Sequence, residues 1–300
     1  VVHAADWSAI IFNPSMPYRL VHMLLASGLT VAFLIAGLSA LRLLFGDRSD
    51  SPRLTLKVGV YLAAALIPLQ ILAGDLHGLN TLEHQPQKVA AMEGNWQTRS
   101  HAPLLLFALP DDAERKNHFE IGIPSGASLI LKHRADGVVP GLDDFVSAEG
   151  TPLHPPVAAV FWSFRVMVGI GLAMLAVSWL ASWKLSSLGS DRIPRSLLRV
   201  LVAMTFSGWV ATLAGWYTTE IGRQPWLVQG VMTTAEALGP VPAGMVMSTL
   251  IVYLAIYAAL TAAYIAVLSH LARKAAQGPS QPATAVPGRG GAAAGLATSS

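Results

Sequence analysis

An all-α integral membrane protein with five transmembrane helices is the fold this sequence predicts, and three observations carry that expectation. The 300-residue chain is 53% hydrophobic and only 12% charged, with a mean hydropathy of +0.51, far from an average soluble domain. Several apolar runs reach the roughly 20 residues that cross a bilayer as a helix. None of these runs carries a polar face along its whole length, and only helices or closed barrels satisfy their backbone in lipid.

In chain order, Val1-Val2-His3-Ala4-Ala5-Asp6-Trp7 has no initiator Met, basic leader or cleavage pattern and reads as the middle of a loop. The expectation is a sequence that begins inside a longer protein. Residues 1–19 form an outer segment, and 20–79 a first helix pair, with spans from about Leu20 to Phe45 and Val58 to Leu79. Residues 80–156 make a long polar loop whose Trp96, Phe107 and Phe119 argue against free disorder. Residues 157–271 hold three further spans, Val157–Trp183, Leu197–Thr219 and Gly244–Leu271, and 272–300 is a Gly-, Pro-, Ala-, Ser- and Thr-rich tail expected to be disordered. Arg42, Arg48, Arg53 and Lys57 follow the first span, Lys184, Arg192, Arg195 and Arg199 the third, and Arg273 and Lys274 the last. All three groups fall on one side of an alternating path, which makes that side cytoplasmic and puts the 80–156 loop outside.

Composition also excludes. A formal charge of +3 and a pI near 9.3 come without a basic stripe, so nucleic acid is not a predicted partner. With no cysteine the chain has no disulfide, thiolate metal site or iron–sulfur ligand of its own, whereas haem and quinone sites need none. There is no glycine-rich phosphate loop and no Ser/His/Asp arrangement. A transporter would need a polar midplane site; here the ionisable groups gather toward the outer face.

The chemistry-bearing residues lie at that face. Glu220-Ile221-Gly222-Arg223-Gln224-Pro225-Trp226 follows an apolar run containing Trp216. Alone it reads either as an interfacial turn, with Pro225 ending the helix and Arg223 on lipid phosphate, or as a functional site. His22 reads as a hydrogen-bonded structural residue or a ligand, and Met167 as core packing or a ligand. Arg165, about two turns into its span, needs an anion, which haem propionates would supply, and His/Met is a known axial pair for a low-spin haem. Arg165 and Met167 are two residues apart and point to nearly opposite sides. Lys88 and Glu93 read as a solvated charge pair on a loop helix or as a proton-accepting quinol site. Asp75 and His77 read as a cap and a surface residue, or as part of a polar path.

Taken together, Glu220 with Gly222-Arg223-Gln224-Pro225-Trp226, Phe161-Trp162-Ser163-Phe164-Arg165-Val166-Met167, Lys88-Val89-Ala90-Ala91-Met92-Glu93 with Trp96, and Asn13-Pro14 ahead of His22 resemble subunit I of cytochrome bd-type quinol oxidases, in order from about Ala5 to Leu271. The resemblance implies that His22 and Met167 ligate a low-spin haem b, with Arg165 as its charged neighbour. It implies that Glu220 ligates a high-spin haem b with Trp216 between haems, and that Arg223, Gln224 and Trp226 lie beside them. Lys88 and Glu93 would form the quinol site in the 80–156 segment, the family's Q-loop. It further implies quinol oxidation at the outer face of a bacterial inner membrane, oxygen reduction to water, a proton gradient, a partner subunit II and small accessory subunits. The five spans resemble the last part of a roughly nine-helix subunit, and the short Q-loop resembles the cyanide-insensitive branch, so the third haem is haem d or another haem b. The alternative is a haem- or quinone-binding electron-transfer module without oxidase activity.

Overall fold

Helix ends in this chain fall where capping chemistry dictates. The structure, a computed structural model, describes residues 6–47, 49–148, 150–189 and 192–276. Asp6 opens α1 (Trp7–Ile11) by accepting from the amides of Ser8 and Ala9 at 2.8 and 3.2 Å. After Asn13-Pro14, α2 (Met16–Leu44) runs to a turn at Gly46, whose φ of +89° suits glycine. Next comes α3 (Asp50–His84), which extends the predicted Val58–Leu79 span by about two turns at its start and more than one at its end. Pro86 starts α4 (Pro86–Glu93), and Gly94 ends it in the left-handed conformation.

The remainder of the 80–156 segment is folded rather than irregular. Strands β1 (Leu104–Asp111) and β2 (Lys116–Ile123) pair as an antiparallel hairpin, followed by α5 (Gly126–Lys132) and a 3-10 turn at Leu142–Asp144. The helical class holds for the membrane part; the hairpin adds to it. Side-chain bonds tie the segment together: Asn95 Nδ2 donates to the Pro140 carbonyl at 2.9 Å, and Trp96 Nε1 to Asn117 Oδ1 at 2.9 Å. At the hairpin tip Asp112 Oδ1 accepts from the Val157 amide at 3.2 Å, so the loop itself caps α6 (Val157–Leu188).

The predicted fourth span is broken into α7 (Arg195–Ala203) and α8 (Ser207–Ile221). Two hydroxyls satisfy backbone carbonyls at the break, Thr205 Oγ1 to Val202 at 2.6 Å and Ser207 Oγ to Met204 at 2.7 Å. Gly37 of α2 receives Thr205: a Cβ there would meet the Thr205 hydroxyl oxygen at 2.0 Å. A short β3–β4 hairpin (Trp226–Val228, Met232–Thr233) follows α8.

In the unit Val1–Ala237, α2 packs on α3, α7 and α8, while α6 packs on α3 and α8. Helices α2 and α6 therefore stand diagonally across a bundle. Small residues let its backbones approach: a Cβ at Gly59 would lie 2.8 Å from the Ala32 carbonyl. Inside are Phe33, Leu56, Ile67 and Leu201, while Leu24, Leu69, Leu172 and Leu213 face outward as a lipid-exposed surface requires. Four of the five membrane-length helical segments belong to this unit. The fifth, in α9 (Ala243–Ala276), belongs to the unit Leu238–Ser300 and carries a mean hydropathy of 2.0 over Ala243–Tyr264. Of the predicted 272–300 tail, residues 272–276 are helical and continue α9, and the rest lies outside the described residues.

Pro68 inside α3 cannot donate to the Ala64 carbonyl four residues back. Trp179 Nε1 of α6 donates to that carbonyl instead, at 3.1 Å. Replacing Trp179 by Phe is expected to lower stability by about 1 kcal/mol, read as an earlier thermal unfolding midpoint in detergent; a Pro68→Ala background should remove most of the loss, because the helix then supplies its own donor.

Candidate functional site

The loop helix α4 carries both Q-loop candidates, and they are not the solvated pair that exposure would make them. Lys88 is 5% and Glu93 6% exposed. Five residues apart on a helix, they point to different neighbours. Glu93 Oε2 accepts from Arg165 at 2.8 Å, and the Arg165 Nε donates to the Leu105 carbonyl at 2.5 Å. The guanidinium also lies over the Phe161 ring, 4.6 Å from its centroid. The anion that Arg165 requires is thus Glu93, and the pair bolts α6 to the loop. Burial pushes the Glu93 carboxyl above the usual carboxylate range, with Arg165 opposing.

Among the described residues the Lys88 ammonium has no hydrogen-bond or ion-pair partner. Its stem crosses the end of α8, where a Cβ on Gly222 would meet Lys88 Cγ at 3.0 Å and Cε at 3.2 Å. Burial pushes the ammonium down to about 8; Arg19 and Arg223 add repulsion and Glu220 opposes them. A lysine in this state donates hydrogen bonds yet sheds its proton readily.

On α8, Glu220 sits at a helix C-terminus, where the dipole disfavours a carboxylate. Arg223 compensates, its Nη2 lying 2.7 and 2.6 Å from the two Glu220 oxygens. The Arg223 partner is therefore Glu220. Gln224 Oε1 accepts from Thr234 at 3.0 Å, and Trp226 starts β3 opposite Thr233. Trp216 is exposed and tilts on Tyr217, with ring centroids 5.7 Å apart. Met167 turns to α8, where its sulfur would be 2.8 Å from a Cβ at Gly215.

His22 faces α3. Gln70 Nε2 lies 3.1 and 3.4 Å from its two ring nitrogens, Gly74 leaves room for Cε1, and the His77 ring meets it edge-on at 5.6 Å. Asp75 is exposed. Sequence reasoning passed over Gln70, although a carboxamide amid an apolar run was the signal that marks it. Gly74, Gly215 and Gly222 gave no such signal, because a glycine's neighbours across helices are visible only in three dimensions. Asp111, Glu114 and His118 at the hairpin tip bring ligand-type atoms within 4.8 Å, but Lys116 pairs with Glu114 at 2.7 Å and Asp111 accepts from two turn amides, as turn-stabilising charges do.

Haem fits these residues. An imidazole on α2 and a thioether on the diagonal helix α6 each lie against a cradle that a Cβ would fill, at Gly74 and Gly215, and Gln70 Oε1 beside the imidazole is buried with no partner among the described residues. Imidazole and thioether are donors that suit haem iron. The fold and the site define a helical membrane protein with haem-type donors inside its bundle and a loop bolted over one end. More particularly, the sequence pattern of cytochrome bd terminal oxidase subunit I matches residues 1–276, and the chain belongs to that family.

Among its relatives, cytochrome bd ubiquinol oxidase subunit 1 of Bacillus subtilis is 32% identical over 84% of this chain and 55% of its own length. Cytochrome bd-II ubiquinol oxidase subunit 1 of Escherichia coli is 26% identical over 89% of this chain and 64% of its length. The solved bd oxidase of Geobacillus thermodenitrificans superposes with a TM-score of 0.77 at 32% identity, over 90% of this chain and 60% of that one. The chain thus spans less than two thirds of the length of these relatives. Its membrane-length helices and its family place it in a bacterial inner membrane.

Proposed function

We propose that the chain forms the quinol-oxidising and electron-entry portion of a respiratory quinol:oxygen oxidoreductase. Membership of the family supports this, as do the names of its relatives. The observation that carries the reading is the placement of Lys88 and Glu93: both are buried on α4, one against the Glu220–Arg223 segment and the other on Arg165 of the Met167 helix.

Quinol oxidation releases two electrons and two protons. Glu93, a carboxylate held by Arg165 in a buried site, is placed to take a hydroxyl proton and, being the one acceptor of the pair, to pass it on toward the loop surface. Lys88 donates a hydrogen bond to the quinol oxygen and favours the anion that deprotonation creates. Arg165 keeps Glu93 in place and leaves the carbonyl of Leu105 satisfied. His22 and Met167 would hold a low-spin haem b and Glu220 a high-spin haem b; when bound, these groups would supply the electron acceptors. Arg223 balances the Glu220 charge, and Gln224 is fixed by Thr234; Trp216 and Trp226 lie on either side of Glu220 in sequence. Two quinols would supply the four electrons that, with four protons, one oxygen needs to become two waters, and a third haem, d or b, would supply that chemistry. The Q-loop faces outward, opposite the Lys/Arg-rich ends, so protons leave outside while oxygen reduction draws from inside. Subunit II, small accessory subunits and membrane lipid are the partners of the assembled enzyme.

Reduced-minus-oxidised spectra of membranes containing the full-length His22→Ala subunit test the ligand assignment. Loss of the low-spin haem b absorbance is expected; an unaltered band refutes the assignment. Quinol-driven oxygen uptake by the wild type separates the oxidase from an electron-transfer module that reduces no oxygen.

A further inference from the structure

We infer that Gln70 is the residue that accepts the N–H of the His22 imidazole when the other ring nitrogen binds iron, and that it thereby sets the reduction potential of the low-spin haem. The inference rests on the proposed ligand role of His22.

Gln70 stands within the membrane span of α3, two residues beyond Pro68. A carboxamide in such a span is costly to bury unless its polar atoms are paired. Its Nε2 lies 3.1 Å from His22 Nε2 and 3.4 Å from Nδ1, so the amide sits at the Cε1 edge, between the two nitrogens. Gly74, one turn further along α3, has no Cβ to obstruct that edge; one built there would come within 3.3 Å of Cε1. Among the described residues Gln70 is the only side chain hydrogen-bonded to the ring.

The hydrogen bonding around this amide is half complete. Gln70 Oε1 is buried and has no partner among the described residues. A neutral imidazole that gives one nitrogen to iron carries a proton on the other and needs an acceptor for it. A half-turn of the carboxamide about its last torsion exchanges oxygen and nitrogen within the same outline. The unpaired oxygen then meets the N–H, and the ring is fixed in one tautomer and one plane. An acceptor at this place makes the imidazole a stronger donor to iron, which favours the ferric state and lowers the potential. Gln70 is a positioning residue: it touches the ligand and not the cofactor.

The test is a potentiometric titration of the low-spin haem absorbance in membranes carrying the full-length subunit. Gln70→Met is nearly isosteric and lacks the acceptor; Gln70→Glu keeps one. The potential is expected to rise in Gln70→Met and to stay or fall in Gln70→Glu. Loss of the haem from Gln70→Met alone also supports the inference, since the acceptor is what separates the two variants. A potential that is unchanged or lower in Gln70→Met, higher in both, or a haem lost from both or from Gln70→Glu alone, overturns it. His22→Ala separates the two ideas: if it loses the haem while Gln70→Met leaves the potential unmoved, the ligand stands and Gln70 does not. If His22→Ala keeps the haem, both fall.

Discussion

Replacing Arg165 by Leu is expected to cost about 3–5 kcal/mol at neutral pH, the penalty of leaving a buried carboxylate without its partner. Glu93 is 6% exposed, and its 2.8 Å bond to Arg165 is the ion pair that joins α4 to α6. The same change frees the Leu105 carbonyl, so β1 should loosen together with α4, read as faster hydrogen exchange in residues 86–111. The loss should shrink in acid. In the variant only burial acts on Glu93 and raises its folded pKa further. The folded state then binds the proton more tightly than the unfolded chain, and stability falls as pH rises from the unfolded carboxylate value through the folded one. A Glu93→Gln change in the same background should recover most of the stability, because an amide has no charge to strand. Equal thermal midpoints for Arg165→Leu and wild type at pH 7 would show that the pair does not hold the loop.

Lys88 gives the opposite sign and a window on the alkaline side. Its folded pKa of about 8 lies below the 10.5 of an unperturbed lysine. Below the lower value folded and unfolded chains are both protonated; between the two only the unfolded chain holds the proton, so stability rises with pH across that interval. The shift corresponds to about 3 kcal/mol. Lys88→Met should therefore be more stable than wild type near pH 7, lose the alkaline rise, and oxidise quinol more slowly. Thermal midpoints of both proteins from pH 7 to pH 10 check the first two points. A wild-type curve flat over this range would contradict the buried, unpaired ammonium.

The helices were legible because lipid demands long apolar runs, and such runs are local in sequence. The break between α7 and α8 was not, since Thr205 and Ser207 interrupt the helix by bonding carbonyls within their own turn while Gly37, far away in the chain, makes room. The 80–156 segment hid its hairpin because β1 carries two register irregularities and no clean alternation. Lys88 and Glu93 were legible as residues but not as partners. Charge spacing suggested a pair in solvent, while folding gave Glu93 to Arg165 of α6 and laid Lys88 on Gly222.

The membrane class was determined by residue type and order alone, and the segment from Glu220 to Trp226, His22 and Met167 were singled out as candidates in the same way, because those readings depend on composition, hydropathy and local motif. Which cation meets which carboxylate, and which side chain lies beside His22, were decided by the tertiary structure. Those pairings join helices that are dozens of residues apart in sequence, and a side chain's partner across a bundle depends on helix rotation and close approach at glycine, neither of which is written in any single stretch of the chain.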